Sequence, residues 1–253
     1  MKQIGHKIIR LESVDSTNNY VANLNKTGDL VHGAVIMAVE QFAGRGQRSA
    51  EWVVKPGENL TFSCFLSDVN VSVLNQFCLT QFVSIVLIAT LKKYEIDAEI
   101  KWPNDIYVNG KKIAGVLIEN QIGQTQIKTS IVGIGLNVNQ KDFGDLSATS
   151  IVNETGTHTI LDDVLFRFIS EWNKSLDFLR DLNSLRDSYE SRLYLKGISA
   201  QFLVSDEIFK GVIEGVTESG LLKVTSNHEN YQFDLKEITF LPQNDSLSSK
   251  TCN

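Results

Sequence analysis

Asn109-Gly110 stands between the apolar runs Ile106-Tyr107-Val108 and Ile113-Ala114-Gly115-Val116-Leu117-Ile118. Both turn positions favour a left-handed backbone, so the dipeptide closes a tight hairpin and commits the middle of the chain to antiparallel strands. That register carries Lys111 or Lys112 back toward Asn104 and Asp105. Lysines in such a hairpin commonly guard a sheet edge. Here, however, Lys101-Trp102-Pro103-Asn104-Asp105 precedes the hairpin and combines an aromatic plane, a fixed turn, an amide and a carboxylate.

The rest of the chain reads as alternating strands and helices up to about residue 196. Residues 8–11 form a short strand. Asp15-Ser16-Thr17-Asn18-Asn19 supplies good N-cap side chains before a helix, and the same hydroxyls and amides could equally face a polar ligand at the helix start. Residues 34–39 are apolar without alternation, as in a strand covered on both faces, and Gln41 lies at its end. A second strand-like run begins near Trp52 and is followed, after Pro56-Gly57, by another at 60–63. Helical spacing of apolar residues spans 74–93, which makes Phe77, Cys78 and Phe82 packing residues. A strand over 125–135 leads into Gly135-Leu136-Asn137.

Thr159 and Asp162 have capping-box spacing before a helix over 161–182, and a shorter helix should stop at Lys196-Gly197. Five short alternating segments then follow, with turns at Ser205-Asp206, Ser219-Gly220 and 227–230. They read as a small β-barrel. The polar tail from Asn244 onward has little to pack.

Composition narrows the class. A net charge of -6 disfavours nonspecific nucleic-acid binding as the main activity. The three cysteines, Cys64, Cys78 and Cys252, are far apart and suggest neither a disulfide framework nor a zinc site, which suits a reducing cytoplasm. His6, His32, His158 and His228 lack metal-ligand spacing, and no hydrolase elbow or phosphate-loop motif occurs. No signal peptide is visible, and the most apolar stretch, 82–91, is too short to span a bilayer.

The other unusual stretch is Gly44-Arg45-Gly46-Gln47-Arg48-Ser49. Its glycines bring backbone close to a ligand, and its arginines offer rigid forks for phosphate or carboxylate oxygens. A dinucleotide fingerprint would need a glycine at Ser49 and a helix directly after it, and neither is present. Alone, such a loop is more often a solvated glycine turn.

Taken in order, Ser16-Thr17-Asn18, Gln41, Gly44-Arg45-Gly46 with Trp52, Lys101 to Asp105, Lys112 before Ile113-Ala114-Gly115, and Gly135-Leu136-Asn137 resemble the biotin–protein ligases, also called biotin–[acetyl-CoA-carboxylase] ligases. The resemblance runs from about Ile8 to Leu241. It implies an α+β fold: a mixed β-sheet with helices on one face and a small C-terminal SH3-like β-barrel. It further implies a catalytic biotin- and ATP-binding domain over 1–195, the barrel over 196–243 and a tail over 244–253.

In that family biotin's carboxylate attacks the α-phosphate of Mg-ATP, giving biotinyl-5'-AMP and pyrophosphate. A lysine of a biotin carboxyl carrier protein domain then takes the biotin and AMP leaves. By resemblance Arg45, Arg48 and Lys112 stabilise the charge at phosphorus, with Lys112 bridging biotin carboxylate and α-phosphate. Ser16, Thr17, Asn18, Gln41, Gly44, Gln47 and Gly115 join Arg45 and Lys112 around biotin. Arg48, Trp52, Lys101, Asn104 and Asn137 hold the nucleotide, and Asp105 is the proton acceptor for the incoming lysine. No side-chain cluster is expected to bind metal directly; Mg2+ arrives with ATP, near Asp105.

This chain departs from the family pattern Gly-Arg-Gly-Arg-Arg-Gly by Gln47 and Ser49, followed by Ala50. A neutral hydrogen bond contributes roughly 0.5–1.5 kcal/mol against about 1.5–3 for a charged one, so Gln47 should loosen retention of the adenylate. Only about seven residues precede the first strand, so the N-terminal DNA-binding domain of some members is not expected, nor is DNA binding. The partners implied are biotin, ATP and a carrier domain, with no membrane, for a monomer or homodimer in the cytoplasm. Lipoate or octanoate ligation on a related fold and a non-catalytic biotin sensor are the alternatives.

Overall fold

The structure is a computed structural model that describes residues 2–47, 51–53 and 55–242. Arg48, Ser49 and Ala50 of the glycine loop, Val54 and the tail lie outside the described residues. Seven strands build one mixed sheet: β1 (Lys7–Val14), β2 (Ala34–Gln41), β3 (Leu60–Ser67), β4 (Glu99–Lys101), β5 (Asp105–Val108), β6 (Lys111–Ile122) and β7 (Ile127–Leu136). Their spatial order is β1-β2-β3-β7-β6-β5-β4. β1 and β2 run parallel and every other neighbouring pair is antiparallel. The Asn109-Gly110 turn joins β5 to β6 with both residues in the left-handed region, at φ 50° and 75°. Trp52 and Val53 are not in a strand; Glu51 makes a single bridge to Arg45 instead.

Helices α1 (Thr17–Thr27), α2 (Phe77–Lys92), α3 (Ile151–Thr155), α4 (Leu161–Lys174) and α5 (Leu182–Glu190) complete this part of the chain. Strand alternation sorts the core. Val35, Met37, Phe62, Cys64, Val132 and Ile134 share one large core with Phe82, Val86, Phe168 and Trp172 of α2 and α4. Ala34, Ile36, Phe65 and Ile131 point the other way and pack on Val21 of α1. The helical layer expected on one face is therefore present, and α1 lies on the opposite face. The run 73–92 is long and apolar enough to cross a membrane, but over half of its best window is buried in this core.

Three helix boundaries differ from the sequence reading. Thr159 does not form a capping box: its N–H donates to Asn139 Oδ1, Ile160 takes the N-cap position, and Asp162 pairs with Arg10 at 3.0 Å. The helix expected over 161–182 stops at Lys174 and is followed by a 3-10 turn, because Asp181 captures the N–H groups of Asn183 and Ser184 and starts α5 afresh. The chain beyond α5 does not continue as helix to Gly197, because β4 draws it in. Ile100 N–H donates to Arg192 O, and Tyr194 N–H to Ile100 O, which covers an open sheet edge.

Strands β8 (Ser199–Val204), β9 (Glu207–Val216), β10 (Leu222–Ser226), β11 (Glu229–Phe233) and β12 (Thr239–Phe240) form an antiparallel sheet in the order β11-β10-β9-β8-β12. Positive φ at Ser205, Asp206, Asn227 and His228 accounts for its two tight turns. No ladder joins β11 to β12 among the described residues. Its inner residues Phe202, Ile213 and Leu222 belong to the same core as the seven-stranded sheet.

Candidate active site

Register across four strands lays down the floor of a cavity of about 300 Å³. Thr61 of β3 is opposite Gly135 of β7, which is opposite Gly115 of β6, which is opposite Asp105 of β5. One step along, Ser63, Gly133 and Leu117 form a second row on the same face. Glycines in these rows leave room that side chains would fill. A Cβ at Gly133 would collide with the Asn18 carboxamide, and one at Gly135 with the indole of Trp52.

Beside this floor, the start of α1 meets the end of β2. Ser16 occupies the N-cap position but its side chain makes no capping bond, contrary to the simple capping role. A distant residue substitutes: Gln41 Oε1 accepts from Thr17 N–H at 2.7 Å and lies 3.1 Å from the Thr17 hydroxyl. Ser63, fully buried, shares its hydroxyl proton between Thr17 Oγ1 and Asn18 Oδ1, at 2.7 and 2.6 Å. Asn18 Nδ2 then donates to Glu119 Oε2 at 2.7 Å, and Arg45 Nη2 reaches both Glu119 oxygens at 3.0 and 3.1 Å. Asp15 anchors the entry to this segment. The Asn19 amide donates to it at 2.6 Å and, as the largest influence, holds its carboxyl below the usual value, while its backbone carbonyl accepts from Ala43 at the start of the glycine loop.

The hairpin supplies the opposite wall. A bulge at Ile106/Tyr107 aligns Tyr107 with Lys112. Lys112 Nζ then folds back over Gly115 to Asp105 Oδ1 at 2.7 Å. The Lys112 backbone is fixed by Ser147 O and Thr149 N–H. Lys101 Nζ accompanies it, donating to Tyr107 OH at 3.0 Å and lying 4.8 Å from the Tyr107 ring and 5.3 Å from that of Phe240. Asn104 is buried and its amide donates to Val116 O.

Ser16, Thr17, Asn18, Gln41, Arg45, Gln47, Trp52, Lys101, Asn104, Asp105, Lys112 and Gly115 all line this one cavity. Gly44 does not; it packs behind the loop against the Trp52 carbonyl, and its own carbonyl accepts from the Trp52 backbone N–H at 3.0 Å. Asn137 is also outside it. Its amide donates to Thr149 O at 2.9 Å and steadies the backbone beside Lys112. Arg48 is outside the described residues. Trp52 lies over Gly135 with its indole N–H buried and unpartnered among the described residues, and Lys112 Nζ is 5.7 Å from its ring.

The sequence reading missed Ser63, Glu119 and Gly133, although strand alternation from Thr61, Gly115 and Gly135 points to the face they occupy. It also missed Leu235, Ile238, Thr239 and Phe240, which line the cavity from the C-terminal sheet and carry no local signal. Trp102, singled out for its aromatic plane, is a strut: it is buried and its Nε1 donates to Gly220 O at 2.9 Å.

Residues 11–139 match the biotin/lipoate A/B protein ligase family. The chain belongs to that family. It is 29% identical over 227 residues to the bifunctional ligase/repressor BirA of Bacillus subtilis, covering 86% of this chain and 68% of that protein. It is 28% identical over 231 residues to the biotin–[acetyl-CoA-carboxylase] ligase of Paracoccus denitrificans, covering 84% and 91%. The biotin protein ligase of Aquifex aeolicus, in complex with biotin and ATP, has the same fold: TM-score 0.76, 25% identity, 94% of this chain and all of that one covered.

Proposed function

We infer that this cavity joins biotin to the AMP part of ATP with release of pyrophosphate, and passes the biotin to protein with release of AMP. The chain is an ATP-dependent biotin–protein ligase, with biotin and ATP as its substrates. The observation that carries the reading is the convergence of Arg45, Lys101 and Lys112 on a glycine floor beside a hydroxyl and amide cluster. Two anions, a carboxylate and a triphosphate, must meet before adenylate can form, and cations converging in a sheltered cleft reduce their repulsion.

In our assignment Ser16, Thr17, Asn18 and Gln41 hydrogen-bond biotin, whose apolar part lies on Gly115 and Gly133. Arg45 and Lys112 take the carboxylate and the α-phosphate. Lys101 takes the outer phosphates, and Trp52 covers the adenine. Support for Lys112 comes from its 2.7 Å contact with Asp105, which aims the amine across the floor and is exchangeable for a ligand anion. Asp105 is then free to accept the proton of an incoming lysine.

The described residues contain no group of three or more His, Cys, Asp or Glu able to hold a metal. A magnesium ion brought by ATP would be held mainly by phosphate oxygens and water, with Asp105 as the carboxylate that supports it before the carrier lysine arrives. When bound it supplies neutralisation of phosphate charge. We assign residues 1–195 to the catalytic domain and 196–243 to a barrel-type domain. The acceptor we propose is a lysine of a biotin carboxyl carrier protein domain, in the cytoplasm.

The test is transfer of labelled biotin to a purified carrier domain with Mg-ATP, followed with AMP release. Wild type should label the carrier, and Lys112→Ala should lower adenylate formation at least about 100-fold. Biotin binding with neither adenylate nor labelled carrier would leave a sensor, and transfer of lipoate instead would reassign the pocket.

A further inference from the structure

We propose that Glu119 is a positioning residue for this site, fixing both the Arg45 guanidinium and the Asn18 amide at the biotin end. The proposal rests on the ligase reading above. Glu119 lies on β6 two residues beyond Leu117 and four beyond Gly115, so strand alternation puts it on the floor's face. It is 38% exposed and Arg45 44%, so as an isolated surface ion pair it would contribute little.

Its partners make it more than that. A carboxylate only accepts hydrogen bonds, and here it faces donors from two separate parts of the site. Asn18, 2% exposed, has its oxygen turned to Ser63 and its nitrogen to Glu119, so its orientation follows from the pair of contacts. Arg45 uses Nη2 alone toward Glu119, at 3.0 and 3.1 Å. Its Nη1 and Nε have no partner among the described residues. Because the guanidinium is planar, holding one nitrogen directs the other two, and these remain for the carboxylate or phosphate of a ligand. Without Glu119, Arg45 would have to be ordered by the ligand itself, and the buried Asn18 nitrogen would lose its charged acceptor.

The experiment is a double-mutant cycle on adenylate formation, read as pyrophosphate release against biotin concentration, with Glu119→Ala, Arg45→Ala and the pair. Glu119→Ala should raise the biotin KM about tenfold with a smaller effect on kcat. Adding it to Arg45→Ala should cost less than in wild type, because part of its action has already been removed. Glu119→Gln, nearly isosteric and still an acceptor for Asn18, should recover part of the loss at an unchanged melting temperature. Additive effects, or a biotin KM that does not move in either Glu119 variant, would overturn the proposal. A wild type that releases no pyrophosphate with biotin and ATP would instead overturn the ligase reading beneath it.

Discussion

Gln47 and Asp15 act at the two ends of the described part of the glycine loop, Asp15 through Ala43 and Gln47 in the cavity itself. Gln47 lines the cavity with an uncharged amide, where the resemblance drawn from the sequence leads us to expect an arginine. A charged donor there adds about 1 kcal/mol of attraction for a phosphate, so Gln47→Arg should slow adenylate release roughly five- to tenfold in a stopped-flow chase. Equal release rates would contradict this. Asp15 holds the segment from which the loop departs, through Ala43 N–H at 3.0 Å. The Asn19 amide holds its carboxyl below the ordinary value of 3.8, so the folded state binds that proton less readily than the unfolded chain. The stabilisation is complete above the ordinary carboxylate range and is lost as pH falls through the depressed folded value. The difference in melting temperature between wild type and Asp15→Asn should therefore be present at neutral pH and shrink in acid. A difference independent of pH would show that the charge is not involved.

At the scale of elements, the site is a face of a sheet, and its glycines are structural requirements. A Cβ at Gly133 would strike the Asn18 amide, which already contacts Ser63 and Glu119, so Gly133→Ala should raise the biotin KM about tenfold or more by displacing a group that positions others. An unchanged KM would mean that Asn18 can move freely. Local chemistry explains which elements were legible beforehand. Asn109-Gly110 fixed the hairpin and the return of Lys112 to Asp105, and paired left-handed residues marked two turns of the C-terminal sheet. What misled was long-range competition. Thr159 was drawn to Asn139, Asp181 restarted a helix that apolar spacing alone would continue, and residues 192–194 joined β4. Trp52 follows a strand-like pattern yet fills the space over Gly135, a contact across 83 positions of sequence that no window contains. Most candidate site residues were recognisable from their motifs. Glu119 and Ser63 were not, because each is an ordinary strand residue until the register places it under Asn18.

The two sheets share one continuous core, and the motif between them is tied at several points. Trp102 donates to Gly220 O at 2.9 Å, and a Cβ on Gly220 would meet the Phe77 ring, so the turn and α2 are in close packing. Tyr189 of α5 donates to Pro103 O at 2.8 Å; burial, and secondarily the charge of Glu190, push its phenol well above its usual value, so it remains a donor at neutral pH. These contacts flank Lys101, Asn104 and Asp105 on the chain, while Phe240 lies against Lys101 from the other sheet. Loss of one tie should consequently affect both stability and chemistry. Trp102→Phe keeps much of the apolar volume but leaves the buried Gly220 carbonyl without this donor, at a cost of about 1–3 kcal/mol. We expect one cooperative unfolding transition in calorimetry for both proteins, with a lower midpoint for the variant, since no boundary in the core separates the sheets. Adenylate formation should fall several-fold while biotin affinity, which we assign to Thr17, Asn18 and Gln41 elsewhere in the cavity, changes less. Two separate transitions in wild type, or a variant that loses stability with no loss of adenylation rate, would show that the C-terminal sheet is attached to the site without helping to position it.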